Sequence, residues 1–154
     1  MSTAWRWYSR GAAISNTKPI ADLAELLRSL RPVLNEGVYC FVSVPSGFDA
    51  MSVNPIATFL EREGLSLIIE EHVAVTHRLT TAFRAAWITL TVHSDLNAVG
   101  LTAAISTALA DAAISCNVVA AVHHDHLFVP VDRAADAMRV LKSLHENRMA
   151  DRHD

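Results

Sequence analysis

The chain has 154 residues, enough for one ordinary domain or for two small modules sharing a core. Hydrophobic residues make up 51% and charged residues 19%, which excludes a disordered chain. The net charge of -3 without a basic block argues against nucleic-acid binding, and no apolar run approaches the ~18 residues of a membrane span.

Residues 1–18 read as a weakly ordered N-terminal arm. They carry Trp5, Trp7 and Tyr8 but no continuous apolar stretch, so they do not read as a signal peptide. Cytoplasmic location is the expectation. Ile20, Leu23, Ala24, Leu27 and Leu30 follow helical spacing up to Pro32. Asn35-Glu36-Gly37 is a turn, and Val38 to Val44 is rich in β-branched and aromatic residues, predicting a strand. After the Pro45–Phe48 loop, Asn54-Pro55 resembles a helix start, with Ile56, Phe59 and Leu60 on one helix face and Gly64 as its C-terminal cap. Leu65 to Ile69 is a strand continuing irregularly toward Val75, and residues 76–82 are a polar connection.

The second half starts with an alternating strand, Trp87 to Val92, and a polar turn, His93 to Gly100. Leu101, Ala104, Ile105, Ala108, Leu109 and Ala112 form the cleanest helical stripe in the chain. Two strands follow, Ile114–Val122 and Leu127–Pro130, joined by the polar link His123-His124-Asp125-His126. In the first of them Ile114, Cys116, Val118, Ala120 and Val122 face one way, and Ser115, Asn117, Val119, Ala121 and His123 the other. The second face is half apolar, which predicts a partial cover from elsewhere in the chain or from a second subunit. Trp5 and Trp7 are candidates for covering an open sheet face, with a loose tail as the equal alternative. Asp132 reads as the N-cap of a last helix bearing Ala134, Ala137, Met138, Leu141 and Leu144 on one face and ending near His145; residues 147–154 form a polar tail. Cys40 and Cys116 lie in apolar strands and read as buried free thiols.

These residues resemble a known family. Asn97-Ala-Val-Gly100-Leu-Thr-Ala, the helix to Ala112 and the strand beginning Ile114-Ser-Cys-Asn117-Val look like the ligand loop, first helix and second strand of an ACT domain, with Trp87–Val92 as its first strand. Leu60 to Leu67, Val92 to Ala103 and His124 to Pro130 together resemble small bacterial tandem ACT-domain proteins. The resemblance implies an α+β fold. Two ferredoxin-like, βαββαβ-related units, residues 19–80 and 81–146, would share an antiparallel sheet with helices on one face. It also implies amino-acid binding at a domain or subunit interface. The chain departs from the family in having Asn97 where an aspartate is common, and in lacking an obvious last strand after the final helix. Either the halves share strands or each completes the other.

The candidate ligand site is the loop Ser94, Asp95, Leu96, Asn97, Ala98, Val99, Gly100 and Leu101, together with Asn117. Free amides at the start of a helix accept a carboxylate, helped by the helix dipole. Gly100 admits either a ligand or a packed neighbour, with Asn97 then an ordinary N-cap. Asp95 is either a partner for an amino group or a solvated turn residue. Asn117 either reaches a bound ligand or bonds to a nearby loop. Trp87 reads as a packing residue at the start of a core strand.

His123, His124, Asp125 and His126 have metal-compatible chemistry, with His93 nearby if the strands pair. Alternation along a strand nevertheless keeps all four from converging without a special turn. No nucleophile, dinucleotide or phosphate-loop motif occurs, and no cofactor is expected. The leading expectation is a non-catalytic regulatory protein. It would be homodimeric and bind a free amino acid or similar zwitterion to signal to a regulated protein. The alternatives are a structural or adaptor dimer without ligand and, behind it, a small metal enzyme using the histidine cluster.

Overall fold

A computed structural model describes residues 19–92 and 95–150, with only the backbone considered over 145–150. The arm bearing Trp5 and Trp7, His93, Ser94 and residues 151–154 lie outside the described residues. In chain order the elements are α1 (Leu23–Ser29), β1 (Pro32–Leu34), β2 (Tyr39–Val44), a 3-10 helix (Ala50–Val53), β3 (Ala57–Leu60), β4 (Leu65–Glu70) and α2 (Glu71–Thr76). There follow β5 (Thr81–Leu90), α3 (Leu101–Asp111), β6 (Asn117–Ala120), β7 (Asp125–Pro130), a 3-10 turn (Val131–Arg133) and α4 (Ala134–Ala150). The expected α+β architecture of two ferredoxin-like units on an antiparallel sheet is present. The described residues form two compact units: 36–85, and 19–35 with 86–92 and 95–150.

The first unit has strand order β3-β4-β2-β5. Its sequence of elements is strand, 3-10 helix, two strands, helix, strand, a βαββαβ pattern with the first helix reduced to one turn. Cys40, Val42, Val44, Leu67 and Ile69 form one face of this sheet and pack with Val53 and Ala74 from the helical turns. The helix expected over Ile56–Leu60 is instead edge strand β3, paired with β4 from Ala57↔Ile68 to Leu60↔Leu65. Asn54 does not start a helix. It ends the 3-10 helix in a left-handed conformation, and Pro55 follows as it commonly follows a helix end. Gly64 closes the β3–β4 hairpin through paired backbone bonds with Glu61. A Cβ there would stand 2.3 Å from the Val44 carbonyl oxygen, so only glycine fits. The strand expected to run on toward Val75 stops at Glu70. The β-branched run that follows is helical because Ala74 turns into the core and the Glu71 amide bonds to Val38.

The second unit is ordered β1-β5-β7-β6, and its last strand comes from the start of the chain. β1 pairs with the C-terminal part of β5, Pro32↔Leu90 to Leu34↔Ile88. This is the edge position that a ferredoxin-like unit normally gives to a strand after its final helix. β5 has ten residues, and both units use it. Thr81–Ala85 pair with β2 as the last strand of one unit, while Ile88–Leu90 belong to the first strand of the other. The core of this unit joins Leu26 and Leu27 of α1 and its C-cap Leu30, Ile88 and Leu90 of β5, Leu101, Ile105 and Leu109 of α3, Leu127 and Val129 of β7, and Ala137 and Leu141 of α4.

The α3 and α4 stripes face this core as expected. Asp132 lies in the 3-10 turn before α4, and α4 runs past the expected end near His145 to Ala150. The strand expected from Ile114 to Val122 is regular only over Asn117–Ala120. The preceding residues cap α3: Ala113 is left-handed, and the Ile114 amide returns to Leu109. Arg133 donates to the Ala112 and Ala113 carbonyls and pairs with Asp136, satisfying acceptors beyond the helix end.

Because α1 and its C-cap Leu30 supply three buried leucines to the second unit, Leu26→Ala is expected to cost about 2–5 kcal/mol, comparable to Leu109→Ala. Urea melts of the two variants check this. A Leu26→Ala cost near zero would remove α1 from that core.

Candidate functional site

The loop before α3 is held from within the second unit. The Asp95 amide donates to the Ile20 carbonyl at 2.9 Å. One Asp95 carboxylate oxygen accepts from the Asn97 amide at 2.8 Å and from its side-chain nitrogen at 3.0 Å. The Ala98 amide returns to the Asp95 carbonyl at 2.8 Å, closing a tight turn. Asp95 is therefore at least partly engaged in shaping the loop.

Gly100, not Asn97, is the residue that caps α3, with φ of 103° and no side-chain acceptor at the helix start. The plain N-cap role considered for Asn97 is therefore replaced by a turn role: its side chain is tied back to Asp95. A Cβ at position 100 would lie 2.9 Å from Leu23 Cδ2, so close packing against α1 also requires glycine there. Ala98 packs on the core and Leu101 is buried in it. Leu96 and Val99 are 60% and 84% exposed. The loop thus presents an uncapped helix start beside two solvent-facing apolar side chains. Asn117 stands exposed at the start of edge strand β6, paired with Phe128; no described hydrogen bond joins its side chain to the loop. Ser94 lies outside the described residues.

The bracing by Ile20 and Leu23 was not assigned from sequence. Their spacing marks a helix but carries no sign of which loop the helix will support.

The histidines separate. His126 is drawn into a hydrogen-bonded chain: the Trp87 indole N–H donates to its Nδ1 at 3.0 Å, and Thr89 Oγ1 lies 3.2 Å from the same nitrogen. Asn35 donates to Thr89 Oγ1 at 2.9 Å and to the Trp87 carbonyl at 3.1 Å. Phe128 stacks on Trp87 at 6.2 Å. The packing role expected for Trp87 is met, with a polar handle added. Burial, reinforced by His124, holds the His126 imidazole below its usual pKa range, against the pull of Asp125. His123 and His124 sit in the β6–β7 link with ring centroids 6.5 Å apart. Among the described residues no group of three or more His, Cys, Asp or Glu side chains converges as a metal site would require. The Cys116 thiol is pushed up to about 11 by burial, which leaves little thiolate at neutral pH.

With this geometry in place, comparison with known proteins settles the family. Residues 18–86 and residues 83–143 each match a family described as ACT domain, and the chain belongs to the ACT-domain proteins, with two such modules in tandem. It is similar to a Vibrio cholerae protein of unknown function, called a possible transport protein, at 44% identity. That match covers 80% of this chain and 95% of the other, with a TM-score of 0.74. A protein from Agrobacterium tumefaciens shares the fold at 13% identity, covering 75% and 89%, with a TM-score of 0.58. The regulatory subunit of aspartate kinase from Thermus thermophilus does so at 9% identity, covering 75% and 98%, with a TM-score of 0.51. Among curated protein sequences, none matches. No described helix is long and apolar enough to cross a membrane.

Two outcomes test the site's construction. Gly100→Ala forces a side chain into a positive-φ position against Leu23 and is expected to destabilise by about 1–3 kcal/mol in denaturant melts. Leu23→Ala in the same chain should recover part of the steric share, and strict additivity would show that the two residues do not meet. For His126, a depressed folded-state value means that its stabilisation is fully present above about 6.5 and is lost as pH falls toward that lower value. Stability should start to drop as pH falls through about 6.5, and less in His126→Gln than in the parent; identical profiles would contradict the assignment.

Proposed function

We propose that this protein is a non-catalytic sensor of a free amino acid or a similar small zwitterion. The observation that carries this reading is the start of α3, where Gly100 leaves the helix without a side-chain cap. A ligand carboxylate would sit on the amides around Val99–Leu101, favoured by the helix dipole. Asp95 and Asn97 would shape the edge of the site beside Leu96 and Ala98, and Ser94, outside the described residues, remains a candidate contact. Asn117 would contribute from another copy in a homodimer rather than from the same unit. Ligand binding would shift the packing of modules or subunits and so signal to a regulated protein. The ACT-domain fold supports the reading, since it is widely used in small-molecule sensing. The fold shared with a kinase regulatory subunit supports it at the level of architecture alone.

A second reading has one observation in its favour. Leu96 and Val99 expose apolar side chains on the same loop, as a protein contact would. On this reading the module is an adaptor that assembles through the loop without a ligand. The small metal enzyme has no comparable support from the separated histidines.

A thermal-shift and calorimetry screen against the twenty amino acids discriminates between these readings. A ligand at about 100 times its dissociation constant adds roughly 2.7 kcal/mol of stability. Position 99 is the suitable one to vary because its side chain is solvent-exposed, whereas any change at Gly100 also disturbs packing. Val99→Glu sets a negative charge beside the helix start and is expected to abolish the shift while changing the unliganded stability by no more than about 1 kcal/mol. No response to any amino acid, with self-association broken by Val99→Glu, would favour the adaptor.

A further inference from the structure

On the side away from its helices, the second unit's sheet carries a hydrogen-bonded chain that links β5, β7 and the turn after β1. In β5, Ile88 and Leu90 turn into the helix-covered core, so Trp87 and Thr89, which alternate with them, lie on the opposite face. Asn35 Nδ2 donates to Thr89 Oγ1 at 2.9 Å. Thr89 Oγ1 lies 3.2 Å from His126 Nδ1, and the Trp87 indole N–H donates to that same nitrogen at 3.0 Å.

An indole nitrogen can only donate, so His126 Nδ1 is an acceptor and the neutral ring carries its proton on Nε2. A second proton can enter the ring only at Nδ1. There it meets the Trp87 N–H, two donors pointed at each other. The N–H edge of an indole also carries partial positive charge, which opposes an imidazolium. Thr89 has the opposite character. A hydroxyl both donates and accepts, and Asn35 occupies only one of its lone pairs, so Thr89 can turn from donor to acceptor toward a protonated Nδ1. Asn35 donates in both arrangements. Its bonds to the Trp87 carbonyl, from the amide at 2.9 Å and from the side chain at 3.1 Å, do not involve the imidazole. The turn after β1 therefore keeps its place through the exchange.

We propose that the Asn35–Thr89–His126–Trp87 chain is a protonation switch on the sheet face of the second unit. Above the midpoint of His126 its ring takes the Trp87 indole N–H; below it the ring donates to Thr89 and repels the indole. The charged groups that bear on His126 are His124 and Asp125, both beside it in sequence. Among the described residues, β5, β6 and the turn after β1 present to it Trp87, Thr89, Val119 and Asn35, none of which carries charge. Burial and donation by Trp87 act in the same direction, holding the ring neutral until pH falls below its ordinary 6.5.

Nitrogen–proton spectra of the full chain, recorded as pH is lowered from neutrality, test this. The neutral His126 ring is expected as the Nε2–H tautomer, and the Trp87 indole resonance is expected to move with the same midpoint as His126. In His126→Gln, whose amide oxygen accepts from the indole at every pH, that movement is expected to disappear. Thr89→Val removes the acceptor of the protonated ring and is expected to lower the His126 midpoint by about half to one pH unit. Trp87→Phe removes the opposing donor and is expected to raise it. Looser packing would admit water and raise the midpoint in both variants, so the fall in Thr89→Val separates a switch from a merely structural role. A neutral ring protonated at Nδ1 overturns the proposal, and this is read in the unsubstituted chain whether or not any variant folds. An indole resonance that keeps its pH dependence in His126→Gln, a midpoint not lowered in Thr89→Val, or acid unfolding before His126 titrates overturns it as well.

Discussion

The constraint on which the structure depends is the double use of β5. Its ten residues must satisfy the pairing and packing of two units at once. Near its N-terminus, Phe83 and Ala85 pair with Phe41 and Tyr39 of β2. Near its C-terminus, Ile88 and Leu90 pair with β1 and turn into the second core. Strict alternation makes this possible, because a one-residue slip would reverse every side chain from Ala86 to Leu90 between core and opposite face. Among the described residues no strand follows α4, and β1 supplies the final strand of the second unit by pairing with β5. That brings α1 with it, and α1 then supports the candidate ligand loop through Ile20 and Leu23. The loop geometry therefore depends on the segment that carries β1 and α1 belonging to the second unit.

This coupling gives the site a physical character. The turn is closed locally by Asp95 and Asn97 and tied to the segment before α1 by the backbone bond from the Asp95 amide to Ile20. Gly100 meets two demands at once, a positive φ and a close approach by Leu23. A movement of α1 would be felt directly at the start of α3. On the sensor reading this is the mechanical route by which an occupied loop alters packing around it.

The parts legible in the sequence were those set by strong periodicity. The α3 stripe from Leu101 to Leu109, the α4 face from Ala134 to Leu144 and the β-branched run of β2 all emerged from spacing alone. The α1 spacing located a helix but not its destination, because helical periodicity does not specify which core receives the buried face. The Asn54–Gly64 segment misled because an asparagine followed by proline marks a helix start or a helix end equally well. The same four residues Ala57–Leu60 pair as an edge strand only because β4 is there to receive them, which is a tertiary fact. At α2 the valines and threonine favoured a strand on propensity, and burial of Ala74 overrode it. The missing last strand was visible as a gap, but its filling by Pro32–Leu34 was not, since a three-residue strand carries almost no pattern. The histidines illustrate the converse. Alternation along the strand already argued against convergence, and the structure assigns His126 to Trp87 and Thr89.

The central claim is that the helix start at Gly100 receives the ligand, and backbone amide resonances report on it atom by atom. A titration followed by two-dimensional nitrogen–proton correlation spectra, using pools of free amino acids, is the most direct measurement. The account predicts that the amides of Val99, Gly100 and Leu101 move first and furthest, with smaller movements at Asp95 and Asn97. Large movements confined to other segments, with these five amides stationary, would contradict it.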